Sequence, residues 1–105
     1  MGNQTNHYKN KRYKREKFIN KHLYGGGNVI DSFLVDKGHP MGAEVHCVTD
    51  TGLIIVYNAT SKKLVTKLIA RPNQIKRLYE GVGRKAPKWL VDLAYRHNTL
   101  HYNEI

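Results

Sequence analysis

Apolar and polar positions along the 105-residue chain shift from helical to strand spacing and back to helical. From Lys11 to Leu23 the sequence reads "KRYKREKFINKHL", with Phe18, Ile19, His22 and Leu23 recurring at helical intervals. That spacing predicts a basic helix with a narrow apolar stripe, ended by "GGG" at Gly25 to Gly27. Asn28 to Arg71 is strand-rich. "NVIDSFLVD" is β-branched and aromatic enough for a strand, and "KGHPMG" is a loop broken by Gly38, Pro40 and Gly42. Then come "AEVHCVTD", "LIIVYNA" and "LVTKLIAR", separated by "TG" and "TSKK". Connectors this short join only antiparallel neighbours, so these strands form a meander.

Helical spacing returns after Pro72, where Ile75, Leu78 and Tyr79 fall at i, i+3 and i+4. Past the basic loop "GVGRKA", Pro87 opens "PKWLVDLAYRHN", whose Leu90, Leu93, Ala94 and His97 share one face beside Trp89. The predicted fold class is α+β: a basic N-terminal helix, about four antiparallel strands, and two C-terminal helices. Residues 1–10, "MGNQTNHYKN", read as a flexible polar tail, and residues 11–105 as a single domain.

Charge changes the picture more than composition does. Eighteen Lys and Arg against eight Asp and Glu give a net charge of +10. A small domain with that excess repels itself unless it meets a polyanion, so RNA, DNA or an acidic protein is the expected partner. Cys47 is the only cysteine, which excludes an intrachain disulfide and a Cys-rich zinc site and fits a reducing cytoplasm. The longest wholly apolar run, Leu53 to Tyr57, falls far short of the ~20 residues a membrane helix needs. With no apolar signal-peptide core at the N-terminus, the expectation is a soluble cytoplasmic protein with no membrane partner.

The strands carry chemistry that a simple sheet does not need. If Thr51-Gly52 is a two-residue turn, Asp50 pairs with Leu53 and His46 lies opposite Tyr57. If Ser61-Lys62 turns the next hairpin, Tyr57 lies opposite Thr66. His46, Tyr57 and Thr66 then form one row across three strands ~4.8 Å apart. A turn read instead as "DTG" slips the first hairpin by one residue and sends His46 to the face away from Tyr57 and Thr66. The row suits metal-independent RNA cleavage. RNA supplies its own nucleophile, the 2′-hydroxyl, so the protein needs a base, an acid and donors around the phosphate. His46 is the candidate acid or base, with Tyr57 and Thr66 as donors. Lys37, His39, Lys67 and Arg71 are candidate phosphate ligands, joined by Lys76 and Arg77 near a predicted helix N-terminus. The competing reading is plain cross-strand packing, with Thr66 chosen for its β-propensity and Tyr57 half-buried.

A basic helical N-terminal part, followed by the pattern "VHCVTDTGLIIVYNATSKKLVTKLI", resembles the barnase–EndoU–colicin–RelE class of small ribonucleases, including colicin-type and contact-dependent toxin domains. The similarity covers roughly residues 11 to 80. It implies an endoribonuclease whose sheet carries the catalytic side chains without a metal or other cofactor, and it assigns roles to His46 and Thr66. A second histidine or a glutamate facing His46 is not evident, and Glu44, on the same strand face, is a substitute.

Other signals carry less. His97 and His101 sit at i, i+4, the zinc-protease spacing, but Asn98 stands where that motif has Glu and no third ligand is evident. No metal site is expected. Cys47 adjoins His46, but neighbouring strand residues point to opposite faces, so Cys47 reads as a buried structural thiol. "YGGGN" lacks the ending of a phosphate loop. The leading expectation is a toxin-like or mobile-element endoribonuclease acting on tRNA or mRNA and held by an acidic immunity or antitoxin protein. The alternative is a non-catalytic nucleic-acid-binding or host-protein-inhibiting module of phage type.

Overall fold

The computed structural model describes residues 13–21, 27–36, 38, 40 and 42–104. Residues 13–21 form a helix, α1. Strands Val29–Val35 (β1), Glu44–Thr49 (β2), Leu53–Asn58 (β3) and Leu64–Ile69 (β4) follow, then helices Pro72–Glu80 (α2) and Lys88–Glu104 (α3). The strands pair antiparallel in the order β1-β2-β3-β4, so the fold is α+β with a meander sheet, as the spacing predicts. The tail expected over residues 1–10 and the loop residues Lys37 and His39 lie outside the described residues.

One sheet face meets the two later helices. Phe33, Val48, Ile54 and Val56 pack with Ile75 and Tyr79 of α2 and with Leu90 and Ala94 of α3. Ile75 and Tyr79 are four residues apart and form one stripe, while Leu90 and Ala94 do the same on α3. Each large apolar side chain buried this fully contributes roughly 1.5–3 kcal/mol. Cutting Leu90 back to alanine would therefore remove about 2–5 kcal/mol, transfer and cavity terms together. A second cluster joins Phe18 and Ile19 of α1 to Leu53 and Ile69, which docks the basic helix against the sheet. Phe18 also meets His97 of α3 edge-on, with ring centroids 6.3 Å apart.

Two turns set the register, and both differ from the simplest reading of the sequence. Thr49 pairs with the start of β3 through a three-residue turn, Asp50-Thr51-Gly52. The Gly52 N–H donates to the Thr49 carbonyl at 3.1 Å, and the Thr49 hydroxyl accepts from the Leu53 N–H at 3.1 Å. Gly52 has φ +82°, the left-handed region that closes a three-residue hairpin turn. The second turn starts earlier than Ser61. The Asn58 side-chain oxygen accepts from the N–H groups of Thr60 and Ser61, both at 2.9 Å. This Asx-type turn, together with a bulge between the pairs Val56↔Thr66 and Tyr57↔Leu64, moves β4 by one residue.

The consequence is a correction. His46 lies opposite Val56, and Val56 lies opposite Thr66, whereas Tyr57 lies opposite Val45. The row of His46, Tyr57 and Thr66 is not formed. Two one-residue slips cancel for His46 and Thr66, which share a face, and leave Tyr57 on the other.

A polar cluster clamps α2 to β1. The Tyr79 hydroxyl donates to Asp31 Oδ2, and Arg84 donates to Asp31 Oδ1 at 3.0 Å. The Arg84 guanidinium also lies 5.0 Å from the centre of the Tyr79 ring, within cation–π range. The Tyr79 hydrogen bond and the Arg84 charge hold the Asp31 carboxyl below its ordinary value. Burial, and then the bond to Asp31, push the Tyr79 hydroxyl up to about 12.

Candidate nucleic-acid interface

Between the sheet and α2 runs a groove of about 1400 Å³. Its floor includes Phe33, His46 and Leu68. Arg71, the first turn of α2 and Arg77 form one wall, and Arg15 of α1 and Tyr95 of α3 also line it. The sequence folds this way locally for identifiable reasons. Pro72, with no N–H to satisfy, opens α2 at the groove. The Gln74 side-chain oxygen accepts from the Arg71 N–H at 3.4 Å, which holds the chain entry to that helix. Arg77 lies about one and a half turns further on. Arg71 and Arg77 are exposed, and Arg15 is half-buried.

His46 is 8% exposed and sits in the floor between the apolar Phe33 and Val56 of its cross-strand row. Its Nε2 is 3.3 Å from Glu44 Oε1. A carboxylate can only accept, so Nε2 carries the proton in that contact. The other ring nitrogen, Nδ1, is buried and has no hydrogen-bond partner among the described residues. An unpaired buried nitrogen costs stability, which structural residues generally avoid. His46 thus brings an imidazole to the groove that Arg71, Arg77 and the acidic Asp36 also line, with Glu44 held against its Nε2 from outside that lining.

The remaining candidates divide. Arg71 and Arg77 reach the groove together with His46. Thr66 shares the face of His46 but stands two strands away, roughly 10 Å by strand spacing. Its hydroxyl accepts from an Arg15 terminal nitrogen at 3.3 Å. Thr66 and Lys67 line a separate cleft of about 280 Å³. Lys67 lies opposite Ile55, on the sheet face away from His46. Lys76 is exposed on α2 and does not line the groove. Tyr57 is half-buried on the far face. Lys37 and His39 lie outside the described residues. Cys47 is buried and free, on the face away from His46, as strand alternation predicts.

Arg15 and Tyr95, like Asn73, Gln74 and Asn98, line the groove without having been sequence candidates. Arg15 carries a signal that could have found it, since Phe18 and Ile19 stand three and four residues on and share its helix face. Tyr95 carries none, because its own neighbours do not show which side of α3 meets α2. Among the described residues no helix is long and apolar enough to cross a membrane. No protein-family model matches the chain, and neither curated proteins nor solved structures offer a match.

Proposed function

We propose that this protein binds RNA, with the sugar-phosphate backbone running through the groove between the sheet and α2. The observation that carries the reading is the convergence of Arg15 from α1 with Arg71 and Arg77 from the start and body of α2 on one groove in a protein of net charge +10. Guanidinium groups suit phosphate because their planar fork donates two parallel hydrogen bonds. The first turn of α2 adds the positive end of a helix dipole on the same side. On this reading the protein acts in the cytoplasm, where tRNA and mRNA are met. An acidic antitoxin-type protein would meet the same arginines and compete for them.

The His46–Glu44 contact favours a second reading, in which the bound RNA is also cut. His46, oriented by Glu44 through its Nε2–H, can accept the 2′-hydroxyl proton at Nδ1 as that oxygen attacks the adjacent phosphorus. The bond from phosphorus to the 5′-oxygen then breaks, that oxygen takes a proton from water, and a 2′,3′-cyclic phosphate remains. The arginines offset the charge that builds on the phosphoryl oxygens. Tyr57 has no part in this scheme, since it stands on the other face.

Incubating the protein with tRNA and with mRNA in chelator separates the readings. Binding with a cyclic-phosphate product, lost in Glu44→Gln and His46→Ala, supports cleavage. Binding without turnover supports the non-catalytic module. An absence of binding at low salt removes both.

A further inference from the structure

We propose that Tyr95 is a base-stacking platform in the groove, so that the site takes unpaired RNA in preference to duplex. The inference rests on the RNA-binding reading above and adds the form of the ligand. Tyr95 is 69% exposed although it belongs to the helix that closes the core through Leu90 and Ala94. It lines the same groove as Arg71 and Arg77. The turn of α3 that carries it is anchored by neighbouring residues. Asn98, one turn later on the same side of α3, donates through Nδ2 to the Ala70 carbonyl, next to Arg71, and to the Ala94 carbonyl at 2.8 Å. The Thr99 hydroxyl donates to the Tyr95 carbonyl at 3.0 Å. An exposed aromatic ring thus lines the same groove as the arginines that would carry phosphates.

Aromatic rings alternating with cations are how single strands are bound, because an unpaired base offers its face for stacking and a paired base does not. The groove's size agrees. At about 1400 Å³ it exceeds the roughly 300–1,000 Å³ that encloses a single drug-sized ligand. It suits a run of nucleotides better than one. The Gln74 side-chain oxygen is taken by the Arg71 N–H, which leaves its amide N–H groups as donors to a base edge.

Fluorescence anisotropy with a short unstructured RNA and with a duplex of the same sequence, at matched salt, tests the assignment. The wild type should bind the single strand more tightly. Tyr95→Ala should weaken single-strand binding by about 5- to 150-fold, the loss of one stacked base, and leave duplex binding unchanged. Tyr95→Phe should keep nearly full affinity, since the ring alone stacks. Tyr95 is exposed, so circular dichroism should show all variants folded. If Tyr95→Ala binds the single strand as the wild type does while Arg77→Ala weakens it, the stacking assignment is overturned and the groove reading survives. If the wild type binds neither RNA, both fall.

Discussion

Replacing His46 with leucine should make the protein more stable while removing any RNA cleavage. The imidazole Nδ1 is buried with no partner among the described residues, and an unsatisfied buried polar atom costs about 1–3 kcal/mol. His46→Leu removes that atom and places an apolar side chain between Phe33 and Val56, its neighbours in the cross-strand row. The variant loses the contact with Glu44. The Glu44 side chain is 40% exposed, so its carboxylate rehydrates and the contact contributes at most ~1 kcal/mol. The balance favours the variant by about 1 kcal/mol, or a rise in Tm of roughly 4–8 °C for a domain of this size. Scanning calorimetry at neutral pH measures it. RNA affinity should stay within a few-fold of wild type, because the arginines remain. A fall in Tm of several degrees would refute the reasoning. It would show that the imidazole is there for packing and hydrogen bonding, and the cleavage reading would lose its support.

Three further outcomes are expected. With three arginines on phosphates at ~0.7 each for a single strand, the log–log salt slope should be near −2, an affinity loss of about 20-fold between ~50 and ~200 mM salt. The double variant Arg71→Ala/Arg77→Ala should cut that loss to about 3-fold, and an unchanged slope would move the phosphate path elsewhere. Tyr79 titrates in the folded state at about 12 against an ordinary 10.0, so the stability it adds is intact below pH 10 and is lost as pH rises through 12. Asp31 is held below its ordinary 3.8, so its contribution is intact above that value and is lost as pH falls through the lower folded one. Urea unfolding across pH should show both arms flattened in Tyr79→Phe, and arms that persist would show that the cluster is not coupled to folding. Gly52→Ala should cost about 1–2 kcal/mol from its left-handed φ, since the added methyl would meet Leu93 Cγ at an ordinary 3.4 Å. No loss in urea unfolding would mean that the turn relaxes.

Much of the fold was legible because strand and helix spacing alternate cleanly and Gly and Pro fall between them. Pro72 opens α2, and Gly52 closes the β2–β3 turn. Register was less legible. Whether Asp50 belongs to the strand or to the turn depends on hydrogen bonds that Thr49 accepts from Gly52 and Leu53 and that composition does not reveal. The bulge near Tyr57 depends on the Asn58 side chain capping the next turn. Each choice shifts a strand by one residue, which is enough to send Tyr57 to the far face and to keep His46 with Thr66. Of the candidate site, Arg71 and Arg77 were legible from the helix start at Pro72. Arg15 left a trace, in Phe18 and Ile19 on its helix face, whereas Tyr95 left none, because its place depends on how α3 docks.

The most direct test is to map backbone amide shifts in isotope-labelled protein as a short single-stranded RNA is added. The largest changes are expected at Arg15, His46, Arg71, Asn73, Gln74 and Arg77, all of which line the groove. Changes centred instead on Ser32, Cys47 and Tyr57, across the sheet, would contradict the placement of the RNA.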